Sequence, residues 1–268
     1  MRSDGKRNLL GVLVDAVDYE GAVASILAAA ESGRGYSVTA LAVHGVMTGV
    51  QDATHRDRLN RFDLITPDGQ PVRWALNLLH KTGLKDRVYG PTLTLKVCEE
   101  AARRSVPVYL YGSKPEVIEL MSKNLVERFP GLVIAGAEPS KFRQTTEAEK
   151  LEVAERIKAS GARITFVGLG CPRQEVFAYE YRDLLNMPVM AVGAAFDYHA
   201  GTVSEPPKWM QDRGLQWLYR LVQNPRRLWK RYLLLNPAYV TLVALQFIGL
   251  RKPDAKPMNT PIPEVRYG

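Results

Sequence analysis

Between Arg213 and Pro253 the chain has no aspartate and no glutamate. The same stretch carries Arg213, Arg220, Arg226, Arg227, Lys230, Arg231, Arg251 and Lys252, eight cations that equal the whole formal charge of +8. Cysteine is scarce too. Cys98 and Cys171 alone make neither a disulfide framework nor a four-ligand zinc site, which favours a reducing, cytoplasmic setting. No Asp-x-Asp, no His-Glu-x-x-His and no histidine cluster occurs, so nothing in the sequence calls for a metal. Long apolar runs are also missing. The N-terminal one is broken by Asp15 and Asp18, too early for a signal peptide. Tyr239–Leu250 falls short of the ~20 residues a membrane-spanning helix needs. If this chain meets a membrane, it is expected to lie on it.

What accompanies the cations is aromatic: Trp209, Trp217, Tyr219, Trp229 and Tyr232 lie in or beside the acid-free stretch. Cations interleaved with amphipathic rings suit an anionic bilayer interface, or a nucleic acid. A solvated basic helix pair packed on its own domain would show the same composition. At 268 residues and 46% hydrophobic, the chain can bury the core of one large domain with an appendage.

Residues 1–206 alternate strand and helix. Apolar runs at Leu9–Val14, Tyr36–Val43, Phe62–Thr66, Val106–Tyr111, Leu132–Ala135, Arg163–Val167 and Val189–Val192 read as strands. Helical patterns follow at Tyr19–Glu31, toward Asn60, and at Pro71–His80, Lys114–Phe129, Thr146–Ser160 and Arg173–Asn186. The fold class expected is α/β, a Rossmann-like parallel sheet covered by helices on both faces. Ligands bind such sheets at the carboxyl ends of the strands. Residues 207–252 read as a helical appendage, with Arg213, Trp217 and Arg220 on one face and Leu215, Leu218 and Val222 on the face packed against the domain. Asn224-Pro225 and Asn236-Pro237 each read as a helix restart. The proline-rich residues 253–268 read as a disordered tail.

Three places could carry chemistry. Asp68, after the third strand in Thr66-Pro67-Asp68-Gly69, could accept a proton from a substrate hydroxyl, although Asp-Gly is also a common turn pair. Gly168-Leu169-Gly170-Cys171-Pro172-Arg173-Gln174-Glu175 joins a strand to a helix, a turn suited to phosphate. Arg173 stands where a dinucleotide fingerprint needs its third glycine. Phe196 could stack on a base and Asp197 hold ribose hydroxyls after the last strand.

Taken in order, Asp63–Gly69, Val108–Gly112 with Lys114-Pro115, Phe129–Leu132, Gly168–Gly170 with Pro172–Glu175, Val192-Gly193 with Phe196-Asp197, Ala200-Gly201, and Pro207 through Trp217–Arg220, Asn224–Arg227 and Lys230–Tyr232 resemble the WecG/TagA/CpsF family of bacterial glycosyltransferases. The resemblance spans residues 9 to 235. It implies an inverting, metal-independent transfer, with no cofactor, from a UDP-sugar to a polyprenyl-diphosphate-linked glycan acceptor. The expected location is peripheral, on the inner face of the cytoplasmic membrane. Asp68 matches the family's general base. Gly112, Ser113, Gly168, Gly170, Pro172, Arg173, Gln174, Glu175, Phe196 and Asp197 match its donor pocket. Arg213, Arg220, Arg226, Arg227, Lys230 and Arg231 match an appendage that grips the lipid diphosphate at an anionic membrane surface. Where the family carries a Thr/Asn pair after the second strand, this chain reads Leu41-Ala42-Val43-His44, and His44 with Thr39 is expected to take that contact. The transferred sugar could therefore be of N-acetylmannosamine type or a hexose for exopolysaccharide. A homo-oligomer is compatible with the sequence. The rivals are a basic α/β nucleic-acid-binding protein and a nucleotide-binding oxidoreductase.

Overall fold

The computed structural model describes residues 3–268, with the side chains of Ser3, Arg227, Lys230 and Arg231 outside the described residues. The first apolar run is a hairpin rather than one strand. β1 (Ser3–Leu9) and β2 (Val12–Val17) pair antiparallel, and Leu10 and Gly11 between them both take positive φ. A two-residue turn of that kind matches the twist of its strands.

Asp18 caps α1 (Tyr19–Ser32) by accepting the Gly21 N–H. β3 (Tyr36–Leu41) leads into α2 (Val43–Gln51) and α3 (Ala53–Asn60). β4 (Leu64–Pro67) leads into α4 (Gln70–His80). Next comes α5 (Gly90–Arg103), which the sequence reading passed over although Leu93, Val97 and Ala101 recur every four residues. Three strand–helix units follow: β5 (Val108–Gly112) with α6 (Pro115–Arg128), β6 (Ile134–Glu138) with α7 (Glu147–Ala159), and β7 (Ile164–Gly168) with α8 (Arg173–Leu185). β8 (Pro188–Ala191) and the short α9 (Ala195–His199) close the body.

The six strands β4-β3-β8-β7-β5-β6 form one parallel sheet in that order. Side chains alternate across it. Val38, Leu110, Phe166 and Met190 join a core with Ile26, Val97 and Met121 on one face. Leu41, Tyr111, Val167 and Val189 join Met47, Leu59, Ile157 and Phe177 on the other. A sheet buried on both faces must have apolar runs, and that is why its strands stand out in the sequence.

The C-terminal helices are α10 (Lys208–Asp212), α11 (Gln216–Gln223) and α12 (Pro225–Phe247). Pro225 opens α12 as expected, but Asn236-Pro237 does not restart it. Leu233, whose carbonyl Pro237 leaves without its N–H partner, is on the exposed side, while Tyr239 and Val243 beyond are buried in the body's core. Continuing the helix buries more than a break there would release. The tail lies extended across α3, α7 and α8, not free as its prolines predict. Arg58 donates to the Pro263 carbonyl, Lys150 pairs with Glu264 at 2.7 Å, and the Val265 and Arg266 N–H groups donate to Glu180.

Candidate active site

Asp68 stands at the carboxyl end of β4, where its own N–H donates to the Leu41 and Thr66 carbonyls at 3.2 and 3.0 Å. Gly69 takes φ 86° and turns the chain into α4, so the Asp-Gly pair is a turn and also fixes the carboxylate over the sheet edge. The Gly90 N–H at the start of α5 donates to Asp68 Oδ2 at 3.3 Å. Burial pushes this carboxyl above its usual range, opposed by Arg87, the Gly90 N–H and Arg220. A carboxylate shifted that way is a stronger base than an exposed one.

The glycine turns meet three and four strands away, at the ends of β7 and β5. Gly112 and Gly168 are register partners, and a Cβ on Gly112 (φ 112°) would lie 2.9 Å from the Gly168 carbonyl carbon. The Ser113 N–H donates to the Gly168 carbonyl at 3.0 Å. Gly170 takes φ 76° with open space beside it, Cys171-Pro172 is a cis peptide, and Arg173 is exposed at the first position of α8. The turn thus opens toward solvent at a helix N-terminus, as phosphate binding requires.

Other expected donor residues lie beneath that surface. Thr39 is fully buried within β3 and donates to Glu175 Oε1 at 3.1 Å. Gln174 Nε2 donates to the same oxygen at 2.9 Å, and its Oε1 fills the space that a Cβ on Gly193 would need. These three tie α8 to β3 and β8 under the site, so Thr39 supports the floor instead of facing a ligand. Phe196 is fully buried below Gly168, with its ring where a Cβ of that glycine would fall, so it offers no face to a base. Asp197 is half-buried in α9, its carbonyl accepting the Thr202 and Val203 N–H groups. His44 is half-buried in the first turn of α2, beside the Asp68 end of the sheet.

The expected cationic face divides. Arg213 caps the C-terminus of α10, is exposed, and lies over the Trp209 ring at 5.8 Å, so it shares no helix with Arg220. Arg220, half-buried in α11, faces the Asp68 end of the sheet. Burial works against its charge, but Tyr198, Tyr232, Tyr89 and Asp68 around it hold the guanidinium above its usual range. Leu218 and Val222, expected against the domain, are exposed at 39% and 74%. Arg226 is exposed at the start of α12; the side chains of Arg227, Lys230 and Arg231 lie outside the described residues.

The sequence reading missed Arg87 and Tyr89. Arg87 donates to Gln216 Oε1 at 2.5 Å and to Gln211 Oε1 at 2.7 Å, and lies over the Tyr89 ring at 4.2 Å. For Tyr89 the signal available was Tyr89-Gly90-Pro91, a helix start with proline in its first turn; Arg87 has no such local signal.

Comparison with known proteins identifies relatives of this chain. The glycosyl transferase WecG/TagA/CpsF family model matches residues 7–253. The N-acetylglucosaminyldiphosphoundecaprenol N-acetyl-beta-D-mannosaminyltransferase of Bacillus spizizenii strain W23 is 34% identical over 212 residues, covering 79% of this chain and 78% of the relative. The protein of the same name from Bacillus subtilis strain 168 is 32% identical over 195 residues, covering 72% and 73%.

Proposed function

The chain belongs to the WecG/TagA/CpsF family of glycosyl transferases, and from that premise we propose that it moves one sugar, of N-acetylmannosamine type or a hexose, from a UDP-sugar to a polyprenyl-diphosphate-linked glycan in cell-surface or exopolysaccharide synthesis. The observation that carries this reading is Asp68 buried at the sheet edge and held by the Gly90 N–H, with Arg87 and, from the acid-free helices, Arg220 near enough to favour its charged form. A nucleic-acid-binding or dinucleotide-binding protein has no use for that arrangement.

In this reading an acceptor hydroxyl gives its proton to Asp68 while its oxygen bonds to the anomeric carbon from the face opposite UDP. The bond between that carbon and the β-phosphate oxygen breaks, UDP leaves with the electron pair, and the configuration inverts. The turn at Gly168–Arg173 and the N-terminus of α8 take phosphate charge, and Arg87 and Arg220 neutralise the rest without a metal. The acceptor's own diphosphate falls to Arg213, Arg226 and their neighbours. Trp229, Leu233, Leu234 and Val240 on α12 are exposed, and among the described residues no helix is long and apolar enough to cross a membrane. We therefore place the helices on the cytoplasmic surface of the bilayer, beside the lipid.

A panel of UDP-sugars assayed with a synthetic polyprenyl-diphosphate-linked acceptor, with and without EDTA, tests all of this. Transfer from one UDP-sugar that persists in EDTA is expected. No transfer from any of them sinks the donor assignment, and loss in EDTA restored by Mg²⁺ or Mn²⁺ sinks the metal-free route.

A further inference from the structure

The contact between body and appendage places a cation beside Asp68 without pairing the two. Arg87 is buried, and two of its N–H donors go to the neutral amide oxygens of Gln211 and Gln216. Gln216 is itself held, its Nε2 donating to the Tyr89 hydroxyl at 2.6 Å. The Asp68 carboxylate takes the Gly90 N–H, while Arg87 acts on it through space and favours its charged form. The other groups facing Asp68 are Arg220 from α11, Tyr19 from α1, and Tyr89. Around Arg87 itself, Glu205 hydrogen-bonds Gln211 and faces Arg87 and Tyr89, and Asp86 accepts the Arg87 backbone N–H and faces Tyr19.

We propose that Gln211 and Gln216 are positioning residues that hold the Arg87 guanidinium off the Asp68 carboxylate, leaving the carboxylate for the acceptor proton and the cation for phosphate. The proposal rests on Asp68 as the base. A guanidinium released next to a carboxylate in a partly dry cleft closes onto it, often through two parallel hydrogen bonds. That closure would lower the carboxylate's pKa by about 1–3 units and so weaken the base. It would also consume the positive charge meant for the leaving group. A glutamate at 211 or 216 would satisfy the same N–H groups but cancel the charge; an amide oxygen satisfies them and leaves it intact. This gives a physical reason for Gln216 in a segment without acids. Both glutamines belong to the appendage, so the seating of α10 and α11 sets the state of a base carried by β4.

The test is the pH dependence of kcat/KM for three variants of the full chain, measured with the UDP-sugar that the panel selects and the same lipid-linked acceptor. For Gln211→Leu with Gln216→Leu, the acid limb should move down by about one pH unit and turnover at neutral pH should fall about tenfold. For Gln216→Glu the limb should move up, because the added carboxylate opposes the charge on Asp68. In an Arg87→Met background the Leu pair should have no further effect on the limb, since the group being positioned is gone. A purely structural role moves both limbs alike or neither. Limbs that stay in place, shifts of one sign, or a Leu-pair shift that survives Arg87→Met would each overturn the proposal. So would a Leu pair whose melting temperature drops while its limb stays fixed. Asp68→Asn separates this from the base assignment: if it keeps its turnover, the base is wrong, and if it is inactive while the Leu-pair limb is unmoved, the positioning role is wrong.

Discussion

In the body, β5 and β8 are buried at every residue, whereas α10 and α11 contain no buried residue and α12 leaves Leu233, Leu234, Val240 and Phe247 more than half exposed. The body's strands face whatever buries the most apolar area, and their alternation follows from that. α11 is set by a different force: its apolar Leu218 and Val222 point outward while Gln216 and Arg220 turn toward Arg87, Tyr89 and Asp68. Orientation there is decided by a few polar contacts worth about 1–3 kcal/mol each when charge is involved. A region that forgoes its own core in this way is available to present cations and apolar side chains to a second surface.

The sharpest way to break the comparison is to remove the base on which the two regions converge. Asp68→Asn is expected to lower turnover by about 10² to 10⁴ while UDP binding, followed by calorimetry, survives. Near-normal turnover would leave Asp68 as a turn residue. Next in size is the surface role of the appendage. Neutralising Arg226, Arg227, Lys230 and Arg231 together removes about 1 kcal/mol per cation and should weaken binding to anionic vesicles by about 10² to 10³ at low salt. Co-sedimentation that matches the wild type would remove the membrane from the reading.

One part of α12 does obey the body's rule. Tyr239 is buried in its core and donates to the Pro71 carbonyl at 3.1 Å. Tyr239→Ala is expected to cost about 3 kcal/mol and lower the melting temperature accordingly. An unchanged melt would mean that α12 is held only at its ends. The smallest effect concerns pH. Burial raises the Asp68 pKa above its unfolded value, so its contribution to stability is present below about pH 4 and lost as pH rises through the folded value. Asp68→Asn should therefore melt higher than wild type at pH 8, by about 2–4 °C for each kcal/mol relieved, with the gain gone near pH 4. An equal or lower melt at pH 8 would mean that the carboxylate is not strained by its site.

The strand–helix alternation, the place of Asp68, the glycine turns at Gly112 and Gly168 and the cation-rich segment could all be read from the chain alone. Each rests on something local: a period of two or of 3.6, a φ that only glycine takes cheaply, or a count of charges. What could not be read depends on which distant element covers a side chain. The hairpin at Leu10-Gly11 hid inside an unbroken apolar run, Thr39 and Phe196 proved to be floor and not surface, and Pro237 sits inside a helix because Tyr239 and Val243 have a core to enter. Arg87 gave no local sign, since its partners stand 124 and 129 residues away and its value to the site exists only once α10 and α11 are seated. Periodicity specifies that a face is apolar; only the folded neighbours specify whether that face, or the polar one beside it, turns inward.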